Sequence, residues 1–168
     1  MADPDSTPAA GPAANPDDNL RRLADTGRLK AEPPARDEVA GLLAQARTAL
    51  ADAASAGLSV QGRFLLGYAA AHALGLAALR ARGWRPGRGE GHRAVVFQTL
   101  PLTVAAPPEL WVPLNKAHRK RNDLEYNALA AFSEGEVTAL LRLAGELDAR
   151  LRAMLAAELP HLLKDDHA

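Results

Sequence analysis

The sequence predicts an all-α protein, an up-and-down bundle of five to six helices, on three observations. Hydrophobic residues make up 48% of the 168 residues but aromatics only 4%, so the core has to be built from Leu, Ala and Val. That mixture favours helices over sheets. Apolar residues recur at helical spacing in the long segments, and no β-type alternation appears. Capping residues, glycines and prolines punctuate the chain between those segments. The length fits one domain with a tail, and it is enough to bury a core without staples.

Residues 1–14 are rich in Ala, Pro, Gly, Asp and Ser without periodicity and read as a disordered tail. The helical domain is expected over 15–160. Asn15-Pro16-Asp17-Asp18 starts it with a capping amide, a proline at the first helical position and acids in the first turn. That helix runs to about Thr26 and stops at Gly27. Pro33-Pro34 separates it from a helix over 36–55, where Val39, Leu42, Leu43, Ala46 and Leu50 fall at helical spacing.

Ser59 can cap a third helix that reaches about Arg82 and ends at Gly83. It carries Phe64, Leu65, Leu66, Tyr68, Leu74, Leu76 and Leu79 among alanines, and a helix apolar all round is a central one. Residues 83–91 read as a loop. A fourth helix over 92–104 holds Val95, Val96, Leu100 and Leu102, and Pro107-Pro108 breaks the chain again. A fifth spans about 109–130. Ser133 and Glu136 have capping-box spacing for the last helix, which repeats Val137, Leu140, Leu141, Ala144, Leu147, Leu151 and Met154 until Pro160. Residues 161–168 are expected to fray.

Several classes are excluded. The absence of Cys rules out disulfides and thiolate metal sites and fits a reducing, cytoplasmic setting. No basic stretch followed by an apolar run opens the chain, so no secretory signal is expected. The longest apolar runs are broken by His, Arg or Gly short of a membrane span, so no membrane is expected either. None of the five histidines pairs with a second ligand at zinc spacing, and neither a metal nor a cofactor is expected. His72 reads as a satisfied core histidine, His92 as the start of the fourth helix, and His161 and His167 as part of the frayed end.

The zero net charge hides an asymmetry. Residues 80–121 hold nine bases against two acids, whereas 1–18 carry four acids and no base and 122–168 carry nine acids against four bases. The basic block attracts polyanions, and a solvated Arg-rich surface explains it equally well. Gly87-Arg88-Gly89-Glu90-Gly91 lacks the Lys-Ser/Thr and the preceding strand of a phosphate cradle. A surface loop is the better reading, with Arg85, Arg88 and Arg93 as candidate contacts to a nucleic-acid backbone.

The densest chemistry lies in His118-Arg119-Lys120-Arg121-Asn122-Asp123-Leu124-Glu125-Tyr126. On a helix His118, Arg121, Asn122 and Glu125 fall at i, i+3, i+4 and i+7 and share one face. An intrahelical ladder, Arg121 to Glu125 and Arg119 to Asp123, is the plain explanation. A ribonuclease is the chemically richer one. Cleaving RNA without metal needs a base for the 2′-hydroxyl, an acid for the leaving oxygen and a cation on the phosphorane. Arg121 offers a bidentate cation, and His118 or Tyr126 can handle protons, His118 more naturally near neutral pH.

These residues resemble the motif of the HEPN-domain family: Arg, then a polar residue, then a few residues, then His. The resemblance covers about residues 19–160 in its order of helices. Arg121-Asn122 matches the first half, while Tyr126 stands where the His is expected at the shortest spacing. Glu125-Tyr126 is similar to a branch of small bacterial HEPN proteins in which an acid and a Tyr replace that His. The helix with Phe64, Tyr68, Ala71, His72 and Leu79, its end at Gly83-Trp84-Arg85, and Gly91-His92 opening the next helix resemble the same branch.

The resemblance implies a toxin or defence-type protein that binds RNA and cleaves it as a metal-independent endoribonuclease. Arg121 would hold the scissile phosphate and Asn122 would orient it. His118, Glu125 and Tyr126 would serve proton transfer or site assembly, and Arg119 and Lys120 would add attraction for the backbone. It also implies a homodimer with the two motif helices facing across a two-fold axis. Arg121 and Tyr126, five residues apart, lie about 140° apart on one straight helix, and two-fold dimers are the commonest homo-oligomers. A cognate antitoxin of nucleotidyltransferase type, acting on Tyr126, is a further implied partner. The alternative is a catalytically degenerate HEPN module acting as a nucleotide-binding, RNA-binding or protein-interaction regulator. A third reading is a helical scaffold that docks a partner on its Leu-rich last helix.

Overall fold

The computed structural model describes residues 15–89, 91–127 and 131–163. Chain order is α1 (Pro16–Asp25), β1 (Leu29–Ala31), α2 (Arg36–Ala53), α3 (Val60–Ala81), β2 (Trp84–Pro86), α4 (His92–Gln98), α5 (Leu100–Thr103), α6 (Pro108–Tyr126), α7 (Glu134–Glu158) and a 3₁₀ turn, Pro160–Leu162. The all-α expectation holds, with seven α-helices and one two-stranded ribbon among the described residues.

The predicted caps form. Asn15 Oδ1 accepts from the Asp17 amide at 3.1 Å, and Ser59 Oγ from the Gly62 amide at 3.0 Å. Ser133 and Glu136 close a reciprocal capping box at 3.1 and 2.8 Å. Each satisfies amides that the first helical turn leaves without partners.

Helix α3 is the axis of the fold and packs along both α2 and α7. Its Ala70, Ala71, Leu74, Ala77, Ala78 and Leu79 are fully buried, and the alanines let neighbouring helices approach closely. At Gly75 a Cβ would lie 2.6 Å from Val96 Cγ1, so α4 crosses α3 at that glycine. By length and composition α3 is apolar enough to cross a membrane, contrary to the expectation that every apolar run breaks too early. In this fold it is mostly buried in protein.

Other boundaries differ for local reasons. The expected fourth helix is two, α4 and α5, separated at Thr99. Pro101 supplies no N–H for a continuous helical ladder. The expected loop over 83–91 contributes β2, which pairs antiparallel with β1 in the register Leu29↔Pro86 and Ala31↔Trp84. Strands of three residues are too short to show alternation in sequence. Beyond them Gly87 is obligatory, because a Cβ there would sit 2.0 Å from the Gly27 carbonyl oxygen.

The fifth helix ends at Tyr126 rather than near 130. Within the segment expected to fray, Leu162 is 2% exposed and packs in the core. The expected tail, residues 1–14, and the last residues of the expected frayed end, 164–168, lie outside the described residues.

Candidate functional site

Helix α6 carries the polar stretch and packs against α3, α4 and α7. Leu110 and Leu114 are buried on its inner face. His118 continues that stripe one turn on, which brings an imidazole to the edge of the core. Helix α4 buries Val95, Val96 and Phe97 and carries Arg93 beside the same region. The result is a groove of about 340 Å³ lined by Gly91, His92 and Arg93 on one side and His118, Arg121, Asn122, Glu125 and Tyr126 on the other. All four residues expected on one helical face therefore meet one groove.

His118 is the pivot and is only 6% exposed. Its Nδ1 lies 2.9 Å from the Tyr68 hydroxyl of α3, and its Nε2 lies 3.1 Å from Asn122 Nδ2. Burial, then the nearby Arg121 cation, holds its pKa below the ordinary histidine value, so the ring is neutral near pH 7. The ring therefore bridges the α3 phenol and the α6 amide through its two nitrogens. Burial pushes the Tyr68 phenol upward, so it too stays neutral. Both imidazole nitrogens are occupied. His118 is thereby held between α3 and the Asn122 amide.

Arg121 reaches Glu125 at 2.6 Å, so that rung of the anticipated ladder forms. Its guanidinium carbon lies 5.9 Å from the centre of the Tyr68 ring, within cation–π range. Tyr126, at the last turn of α6, is 89% exposed. Arg119 is exposed, and its expected rung to Asp123 is absent among the described residues.

Five of the nine bases in the basic block are ion-paired within the fold. Arg85, expected at the nucleic-acid surface, is instead bidentate to Glu32 at 2.9 and 2.9 Å and bonded to Glu38 at 2.8 Å. Lys120 is ion-paired with Glu136 and lies 4.9 Å over the Phe132 ring. Arg80 and Arg82 pair with Glu38 and Glu158. Arg88, Arg93, Lys116 and Arg119 have no ion pair among the described residues. Arg88 lines a neighbouring hollow with Arg28, which meets the groove at Gly91 and His92.

Sequence reasoning named Tyr68 in the central helix and in the resemblance to the HEPN branch, but gave it no role at the site. Its signal was its spacing: Tyr68 and His72 are one turn apart in an otherwise apolar helix. His72 is also not the satisfied core histidine that was expected. Its Nε2 is buried without a hydrogen-bond partner among the described residues. His72, Tyr68, Phe97 and His118 form one ring cluster with neighbouring centroids about 6 Å apart.

His92 donates from Nδ1 to the Gly89 carbonyl at 3.0 Å. A carbonyl only accepts, so Nδ1 carries a proton. No group of three or more His, Cys, Asp or Glu among the described residues is arranged to hold a metal ion. Comparison of the chain with protein-family models, with curated proteins and with solved structures finds no match.

Proposed function

We propose that this chain is an HEPN-like RNA-binding protein of toxin or defence type, working as a homodimer. Arg93 and Arg121 hold a backbone phosphate, and Asn122, braced by His118 and Tyr68, orients it. One observation carries this reading: two arginines from different helices line one groove beside an amide whose carrier is locked by a buried relay. Arg93 has no ion pair among the described residues, and Arg121 exchanges one exposed carboxylate for a phosphate that accepts its fork in the same way. Arg88 and Arg119 extend the attraction along the strand.

The expected result is that Arg121→Ala and Arg93→Ala each weaken binding of single-stranded RNA about tenfold, as lost charge-assisted contacts of roughly 1.5–3 kcal/mol allow. Each should also lower the slope of log affinity against log salt by close to one phosphate contact. Fluorescence anisotropy over a salt series measures both. Unchanged affinity and slope in both variants would falsify the reading.

A second reading, metal-independent cleavage, is favoured by His92, whose imidazole lines the same groove and is held by the Gly89 carbonyl. Incubating RNA in EDTA with the wild type, Arg121→Ala and His92→Ala tests it. Cleavage lost in both variants supports the enzyme, and equal cleavage by all three, or by none, removes it. If the chain is a degenerate enzyme, Tyr126→His should gain cleavage that the wild type lacks. The exposure of Tyr126 also suits an acceptor for a nucleotidyltransferase partner.

A further inference from the structure

A second hollow, of about 450 Å³, opens on the other side of Arg93 and Arg121, which line both it and the groove. Its size falls within the range of small-ligand sites. Its walls are apolar: Leu42 from α2, and Leu65, Ala69 and Leu76 from α3. Three polar side chains interrupt them, Gln45, His72 and Tyr68, whose hydroxyl is bonded to His118. No acid lines it.

The two ends of this hollow ask for different chemistry. The rim is cationic, through Arg93 and Arg121. The interior is uncharged: burial, then the Arg93 cation, pushes the His72 pKa down to about 4, so its imidazole is neutral near pH 7. A neutral imidazole suits an uncharged hydrogen-bonding edge, whereas a phosphate would favour the protonated ring. Gln45 presents a donor and an acceptor on one amide. A free phosphate would not use the leucine walls, and an aliphatic chain would not use the amide and imidazole. A planar heterocycle attached to a phosphate uses all of them.

We propose that this hollow receives one unpaired nucleobase of the RNA strand whose adjoining phosphate is held between Arg93 and Arg121. The inference rests on the RNA-binding reading and adds to it a preference for single strands carrying bases. The apolar wall from α2 and α3 covers a face of the base, and Gln45 reads its edge.

The test compares a short single-stranded RNA with an abasic ribose-phosphate strand of the same length, by fluorescence anisotropy. The wild type should bind the RNA about tenfold more tightly, within the roughly 1–3 kcal/mol that enclosing one base provides. Ala69→Leu, which narrows the hollow from a half-buried position, should abolish that preference and leave abasic-strand binding unchanged. Gln45→Leu, at an exposed site where folding is not at stake, should change the order of preference among the four homopolymers. Equal wild-type affinity for the two strands, with Arg121→Ala still weakening both, overturns the base site and leaves the RNA reading standing. No effect of Arg121→Ala on either strand overturns the RNA reading and this inference with it.

Discussion

Arg80→Met should cost about 3–5 kcal/mol of stability, the range seen when one partner of a buried ionic network is removed. Arg80 is fully buried near the end of α3. Its guanidinium donates to Glu38 at 3.0 Å and to the carbonyls of Glu32, Trp84 and Pro33 at 3.1, 3.2 and 2.9 Å. Those carbonyls belong to the ends of the two-stranded ribbon and to the segment that leads into α2. One side chain thus ties two connections to the central helix. Methionine keeps much of the volume but has no donor, so three carbonyls lose the partner they had. Lysine restores the charge with a single ammonium that cannot span the same fan of acceptors. Arg80→Lys should therefore fall between the wild type and Arg80→Met. Thermal denaturation reads the difference as a fall of roughly 10 °C for the methionine variant, at about 2–4 °C per kcal/mol for a chain of this size. A melting temperature within about 2 °C of the wild type would show that the network contributes little.

The same arginine shows where the sequence was legible. Caps, breaks and apolar periodicity are local, and they placed the long helices within a few residues. Asn15, Ser59 and the Ser133–Glu136 pair cap the helices they were expected to cap, because each satisfies amides two or three residues away. The ribbon was not legible. It joins residues 29–31 to 84–86 through pairing that leaves no local pattern, and it depends on Arg80 and on a glycine facing Gly27. Arg80 and Arg85 looked like surface cations because their partners, Glu32 and Glu38, lie about fifty residues earlier. A local charge count therefore overstated the basic surface. At the groove, helical spacing correctly gathered His118, Arg121, Asn122 and Glu125. It could not reveal that Tyr68, fifty residues away, occupies the second nitrogen of His118. That contact ties the imidazole to the central helix as well as to Asn122.

Acid should destabilise the protein through His72 well before most carboxylates titrate. Above about pH 6.5 the imidazole is neutral in both the folded and the unfolded chain. Between there and the folded value of about 4, the unfolded chain binds a proton that the folded chain refuses. Stability therefore falls as pH falls through that window and becomes independent of His72 below it. The full loss is roughly 3 kcal/mol, at 1.36 kcal/mol per pH unit. Burial is the main cause, and the Arg93, His118, His92 and Arg121 groups facing the ring add to it. His118 contributes with the same sign. Glu32, Glu136 and Glu158 are held below the ordinary carboxylate range by Arg85, Lys120 and Arg82, so their losses come at lower pH. His72→Leu separates the effects, since it removes the titrating ring and the unpartnered nitrogen together. In urea denaturation the wild type should lose roughly 2–3 kcal/mol more than His72→Leu on going from about pH 7 to about pH 4.5. Equal losses in the two proteins would mean that His72 is free to protonate in the folded state. RNA bound at Arg93 and Arg121 should act in the opposite sense. Its phosphate offsets the cationic field on the ring, so the acid-induced loss in the wild type becomes shallower with RNA present and stays unchanged in His72→Leu.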